Sequence, residues 1–92
     1  MKRKTNIENL ILKNYKPEFF SVIDVSEQHR GYKNFIENVE SHFEIIIVSE
    51  NFKNLNRIER HRMINQSLKN EFLSGLHSII LKTYTIEEYK DI

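Results

Sequence analysis

Four histidines, at positions 29, 42, 61 and 77, are the side chains best suited to chemistry in this sequence, and no cysteine accompanies them. A neutral imidazole can bind a transition metal, carry a proton or hydrogen-bond a carbonyl. Without cysteine there is no disulfide, no thiol nucleophile and no self-contained thiolate metal site. Any metal must be held by His or carboxylate, or must borrow a thiolate from another molecule. Taken by itself, His77 fits a half-buried His at a strand end, satisfied by a nearby carbonyl. His29, in VSEQHRGY, fits a solvated loop residue. His42 fits a structural role at the entry to a strand. His61 lies between Arg60 and Arg62, and fits a helix-surface or partner-contacting residue.

A second set of candidates is basic. Arg57, Arg60 and Arg62 crowd one segment, with Lys53 before them and Glu59 among them. The plain expectation is a solvated helix face. The sharper ones are a docking surface for carboxylates or a line of phosphate contacts on nucleic acid. The formal net charge is only +1, so any pull on nucleic acid must be local. Gly31 and Gly75 are the only glycines, so the GxxG clamp of an RNA-binding KH domain is absent. No glycine-framed nucleophile or paired-carboxylate motif occurs, and an enzyme is not expected.

These residues need elements to hold them. The 92 residues suit one domain, here 1–92. No signal peptide or membrane span is expected, which makes a cytoplasmic location the simplest. Thr5-Asn6-Ile7-Glu8 has the form of a capping box, followed by Ile7, Leu10, Ile11 and Tyr15 at helical spacing up to Pro17. Residues 19–26 predict a strand and 27–40 a long loop, a length that often carries function. Residues 42–49 predict the central strand, with Phe43, Ile45 and Ile47 on one face and Ile46 and Val48 on the other. Residues 57–73 predict a helix, broken into a short and a long piece. Its apolar ridge is Ile64, Leu68 and Phe72, with Ile58 and Met63 nearby. Gly75 predicts a helix cap, 76–84 a third strand, and Thr85-Ile86-Glu87-Glu88 a second capping box before a short last helix.

The order α-β-β-α-(α)-β-α gives an α+β layer. Two strands form a hairpin, the third crosses over a helix, and helices cover one face of a mixed three-stranded sheet. Ile45, Ile47 and Leu68 should meet in its core. Arg60 should stand on the surface, so that replacing it spares stability and weakens a partner.

Three blocks, in order, carry a resemblance: ESHFEIIIVSE (40–50), RIERHRMIN (57–65) and LHSIILKTYTIEEY (76–89). Together they resemble the BolA family, across about 19–89. The resemblance implies a fold similar to the type II KH domain. It also implies a non-enzymatic accessory protein that pairs with a monothiol, CGFS-type glutaredoxin. The pair would share a 2Fe-2S cluster, for cluster trafficking or iron sensing. In Leu76-His77-Ser78-Ile79, His77 looks like the family's C-terminal cluster ligand, with Ser78 where Ala or Gly is usual. In Asp24 to His29, His29 looks like the second ligand, in a loop longer than the family's. The remaining ligands would be the glutaredoxin cysteine and glutathione, and the chain alone would hold no cofactor. Imidazole ligation implies a raised reduction potential and a pH-sensitive site. The other activity linked with the family is transcriptional regulation through DNA. Arg57, Arg60, His61 and Arg62 would then form the partner or nucleic-acid surface, with weak, salt-sensitive binding.

Overall fold

The structure, a computed structural model, describes residues 2–29 and 40–92. Most of the expected 27–40 loop therefore lies outside the described residues. The order is α1 (Lys2–Tyr15), β1 (Phe19–Asp24), a 3-10 turn (Ser26–His29) and β2 (His42–Val48). A second 3-10 turn (Glu50–Phe52), α2 (Arg57–Ser67), α3 (Lys69–Leu73), β3 (Ser78–Tyr84) and α4 (Ile86–Lys90) follow.

The sheet order is β1-β2-β3. β2 is central, antiparallel to β1 and parallel to β3. The parallel pairing follows from the crossover through α2 and α3, since a parallel neighbour cannot be reached by a tight turn. The expected α+β architecture and central strand are what the chain forms.

The core lies between the sheet and the helices. Phe43, Ile45 and Ile47 of β2 are at most 1% exposed and meet Ile7, Ile11 and Tyr15 of α1. The four-residue spacing of those α1 side chains keeps them on one face. Ile64 and Leu68 are also buried, and Phe72 packs against them. Leu68 lies at the break between α2 and α3 (φ −93°, ψ 9°), so the long piece precedes the short one. Ile58, expected near the ridge, is 62% exposed. The opposite sheet face is partly open: Ile23 and Ile80 are about half exposed, while the Tyr89 ring of α4 stacks on Phe19 (5.6 Å) and lies 5.5 Å from Tyr84.

The ends of α1 are held from a distance in sequence. The helix starts at Lys2, so Thr5 sits inside it rather than at its cap. The first-turn N–H groups of Arg3 and Lys4 instead donate to the Glu40 carboxylate at 3.2 and 3.0 Å. A carboxylate suits that position because it satisfies orphan donors and faces the positive end of the helix dipole. At the other end Lys16 turns left-handed (φ 43°) and Ser49 Oγ donates to the Tyr15 carbonyl at 2.7 Å.

Gly75 (φ 130°) closes α3 as expected, with the Leu76 N–H returning to the Glu71 carbonyl at 2.9 Å. A Cβ there would stand 2.9 Å from Arg3 Nη2. The Arg3 guanidinium fills this corner, bonding the Glu71 carboxylate at 3.0 Å and the Ser74 carbonyl at 3.1 Å.

Candidate functional site

The two parallel strands β2 and β3 begin at one corner of the sheet, where His42 is paired with Ser78. Ser41, buried at 7% exposure, is its fixed point. The Ser41 carbonyl accepts the N–H of His77 (2.8 Å) and of Ser78 (3.3 Å). The Ser41 N–H donates to Ser26 Oγ at 2.9 Å, and the His42 N–H to the same oxygen at 3.1 Å. Ser26 in turn gives its hydroxyl proton to Asp24 Oδ1 at 2.6 Å, which also accepts the Ser26 N–H at 2.9 Å. Asp24 thereby starts the 3-10 turn that ends at His29. The backbone places His29 three residues beyond an anchor shared with His42, while its side chain lies outside the described atoms.

The His77 side chain is exposed and His42 is half-buried. Their ring centroids stand 5.4 Å apart at an interplanar angle of 79°. Ser41 Oγ lies 2.7 Å from His42 Nδ1. His42 is the first residue of β2, as expected of an entry residue, and its contact with the His77 ring comes from the fold, not from a pattern in the sequence. Among the described residues, no group of three or more His, Cys, Asp or Glu side chains gathers as a metal site.

The basic segment divides in two. Arg57 and Arg62 are exposed and His61 is half-buried. Arg60 is not a surface residue: it is 8% exposed. Its Nε donates to the Leu55 carbonyl (2.9 Å) and its Nη1 to the Thr83 carbonyl (3.3 Å). Nη1 and Nη2 grip the two oxygens of Glu88 at 2.6 and 3.0 Å. The guanidinium carbon also lies 5.7 Å from the Phe52 ring centre. The reason is local. The capping boxes Asn56–Glu59 and Thr85–Glu88 open α2 and α4, and the second places a carboxylate against the arginine. Arg60 holds Glu88 at a pKa of about 2, below its ordinary 4.5. Arg57 and His61 instead border a shallow cavity of about 290 Å³ with Lys82, Thr83 and Tyr84 of β3. Lys82 is the basic residue that the sequence segment did not reveal, because it reaches this cleft from another element.

The profile of the family described as BolA-like protein matches residues 11–88, and this chain belongs to that family. It is 36% identical over 86 residues to the DNA-binding transcriptional regulator BolA of Vibrio cholerae, covering 94% of this chain and 77% of that one. The protein of the same name in Escherichia coli is 34% identical over 89 residues, covering 97% and 81%. Among solved structures, the BolA domain of SufE1 from Arabidopsis thaliana superposes with a TM-score of 0.88 at 34% identity, covering 96% of each chain. BolA1 from the same plant gives 0.85 at 30% identity, again covering 96% of each. None of the helices among the described residues is long and apolar enough to cross a membrane.

Proposed function

We propose that this chain is an accessory protein that docks a monothiol glutaredoxin and, with it, holds a 2Fe-2S cluster through histidine. The observation that carries this reading is the exposed His77 imidazole at a rigid corner. Its backbone N–H is pinned by Ser41, and the turn bearing His29 is anchored through Ser26 to the same dipeptide. The residues fit such a group in their donor chemistry. A cluster of this kind takes four ligands, this chain supplies imidazoles and no thiolate, and a glutaredoxin cysteine and glutathione would complete the set. His77 and His29 are the proposed ligands. When bound, the cluster would supply a one-electron or iron-sensing function. The chain's own part is to present imidazole from a backbone position held by Ser41.

The test is assembly. The chain is mixed anaerobically with a monothiol glutaredoxin, iron, sulfide and glutathione. A heterodimer is expected, with visible circular dichroism unlike that of the glutaredoxin homodimer. His77→Ala should return the homodimer-like spectrum while the far-UV spectrum stays native, and His29→Ala should weaken the cluster less. An unchanged spectrum at saturating chain rejects the reading.

DNA binding is the second reading, favoured by the names of the Vibrio and Escherichia relatives. Arg57 and Arg62 with Lys82 remain available for phosphate, whereas Arg60 is committed to Glu88. So few contacts predict weak binding, with a salt slope on the order of −0.9 per phosphate neutralised. Fluorescence anisotropy yielding nanomolar affinity for a defined duplex, lost in Arg57→Ala, would place this reading first.

A further inference from the structure

We infer that the outer edge of β3 takes up an extended acidic segment of a partner protein as a further strand of the sheet. β3 is the last strand in the order β1-β2-β3, so β2 pairs with one side of it only. Along a strand, successive residues turn their backbone N–H and C=O groups to opposite sides. The Tyr84 carbonyl accepts the N–H of Ser49, just past the end of β2, at 2.9 Å. Tyr84, Lys82 and Ile80 therefore face β2, and Thr83, Leu81 and Ile79 face outward. The Thr83 carbonyl agrees with this, since it accepts Arg60 Nη1 from the far side at 3.3 Å. The other outward groups, the Thr83 N–H, both polar groups of Leu81 and the Ile79 carbonyl, have no partner among the described residues. Such a row is a template for an added strand, whose main-chain bonds supply the affinity.

Charge selects the occupant. The shallow cavity of about 290 Å³ lies where this edge meets α2, with Arg57 and His61 on the helix and Lys82 on the strand. Arg57 and His61 are one helical turn apart and so share a face. Among the described residues none of the three forms an ion pair. The carboxylates at the starts of α2 and α4 are already engaged, Glu59 by the Asn56 amide and Glu88 by Arg60. A second copy of this chain is disfavoured, because pairing β3 with itself sets Lys82 and Arg57 against like charge. Nucleic acid matches the edge poorly, because phosphate offers acceptors alone and leaves the Leu81 and Ile79 carbonyls unmet. A peptide backbone supplies both donors and acceptors. Its side chains would alternate. Acidic residues would turn toward Arg57 and His61, and apolar ones would extend the open sheet face, where Ile80 is 55% exposed.

The test uses the intact chain and an acetylated, amidated peptide of alternating glutamate and valine, followed by NMR of the backbone amides and by anisotropy of the labelled peptide. The Leu81 and Thr83 amides should shift and gain protection from exchange. Arg57→Glu and Lys82→Glu should each weaken binding by about tenfold or more, and lysine in place of the peptide's glutamates should abolish it. Two further peptides are N-methylated on one or the other alternate set of residues, which keeps every charge. One should lose binding and the other keep it, since only one set of amides faces β3. Absence of binding at millimolar peptide overturns the inference, and so do unmoved Leu81 and Thr83 amides or two methylated peptides that bind as the parent does. The DNA reading shares Arg57 and Lys82. A single-stranded oligonucleotide of equal charge that displaces the peptide and binds more tightly would make this a phosphate cleft. Protection of the two amides that grows with the concentration of chain alone would make it a self-association edge. Either result also overturns the assignment. No glutaredoxin, iron or sulfide is present, so failure here leaves the shared-cluster reading standing, and failure of cluster assembly leaves the peptide result untouched.

Discussion

The strands β2 and β3 run side by side, and their two ends have opposite characters. At the end of β3, Arg60, Glu88, Thr85 and the Thr83 carbonyl form a closed set in which each charge faces its complement. At the start of both strands the buried polar groups are equally well bonded, but the bonds converge on Ser26, Ser41 and backbone, with Asp24 behind them, and leave His77 exposed beside a half-buried His42. One end uses its charged side chains to hold the fold. The other uses small polar groups to present side chains that can do chemistry. Function therefore has to be sought where polar residues are held in place without being consumed by the packing.

The largest expected loss lies beneath both ends. Leu68→Ala and Ile45→Ala each remove a side chain at most 1% exposed, leaving a cavity and costing roughly 2–5 kcal/mol. A denaturant melt should report this for either variant. A neutral Leu68→Ala would dissolve the distinction between core and surface on α2.

The next effect separates the arginines. Arg60→Ala should cost about 1–3 kcal/mol, because it strips two backbone carbonyls and a half-exposed carboxylate of a charged donor. Arg57→Ala, at an exposed position, should stay within about 0.5 kcal/mol. Thermal melts of the two would break the comparison if they shifted equally.

A smaller effect depends on pH. The folded-state pKa of Glu88 is depressed, mainly by its hydrogen bonds from Arg60 and then by the Thr85 amide. Its contribution to stability is thus complete above the ordinary carboxylate value of 4.5 and is lost as pH falls toward about 2. Half of the Glu88 side chain is exposed, so solvent moderates the size of the effect. Melts recorded over that window should converge for the parent and Glu88→Gln at the acid end and separate above it. Parallel curves would mean that the pair carries no linkage.

The smallest stability effect belongs to the corner where β2 and β3 begin. His77→Ala removes an exposed ring and should leave the melting temperature within a few degrees of the parent, since surface changes away from caps and cores stay near ±0.5 kcal/mol. A collapse of stability would make His77 a structural residue and remove the contrast on which the cluster reading depends.

The local patterns of the sequence were enough for much of this protein. Alternation in 42–48 and four-residue spacing in 64–72 put Phe43, Ile45, Ile47, Ile64 and Leu68 inside, because burial follows periodicity. Thr85-Glu88 and Gly75 declared their caps, because those motifs close within a few residues. Other features depended on partners far along the chain. Glu40 caps α1 from 36 and 37 residues away, so the local Thr5 pattern misplaced that helix start. Arg60 looked like its neighbours until Glu88, 28 residues on, drew it into the fold. His42 read as a strand-entry residue, and only the fold brought its ring against that of His77. Side-chain type and spacing determine which groups can do chemistry. Only tertiary pairing decides which of them the fold consumes and which it presents, because a hydrogen bond or ion pair across dozens of residues leaves no periodic trace in the sequence.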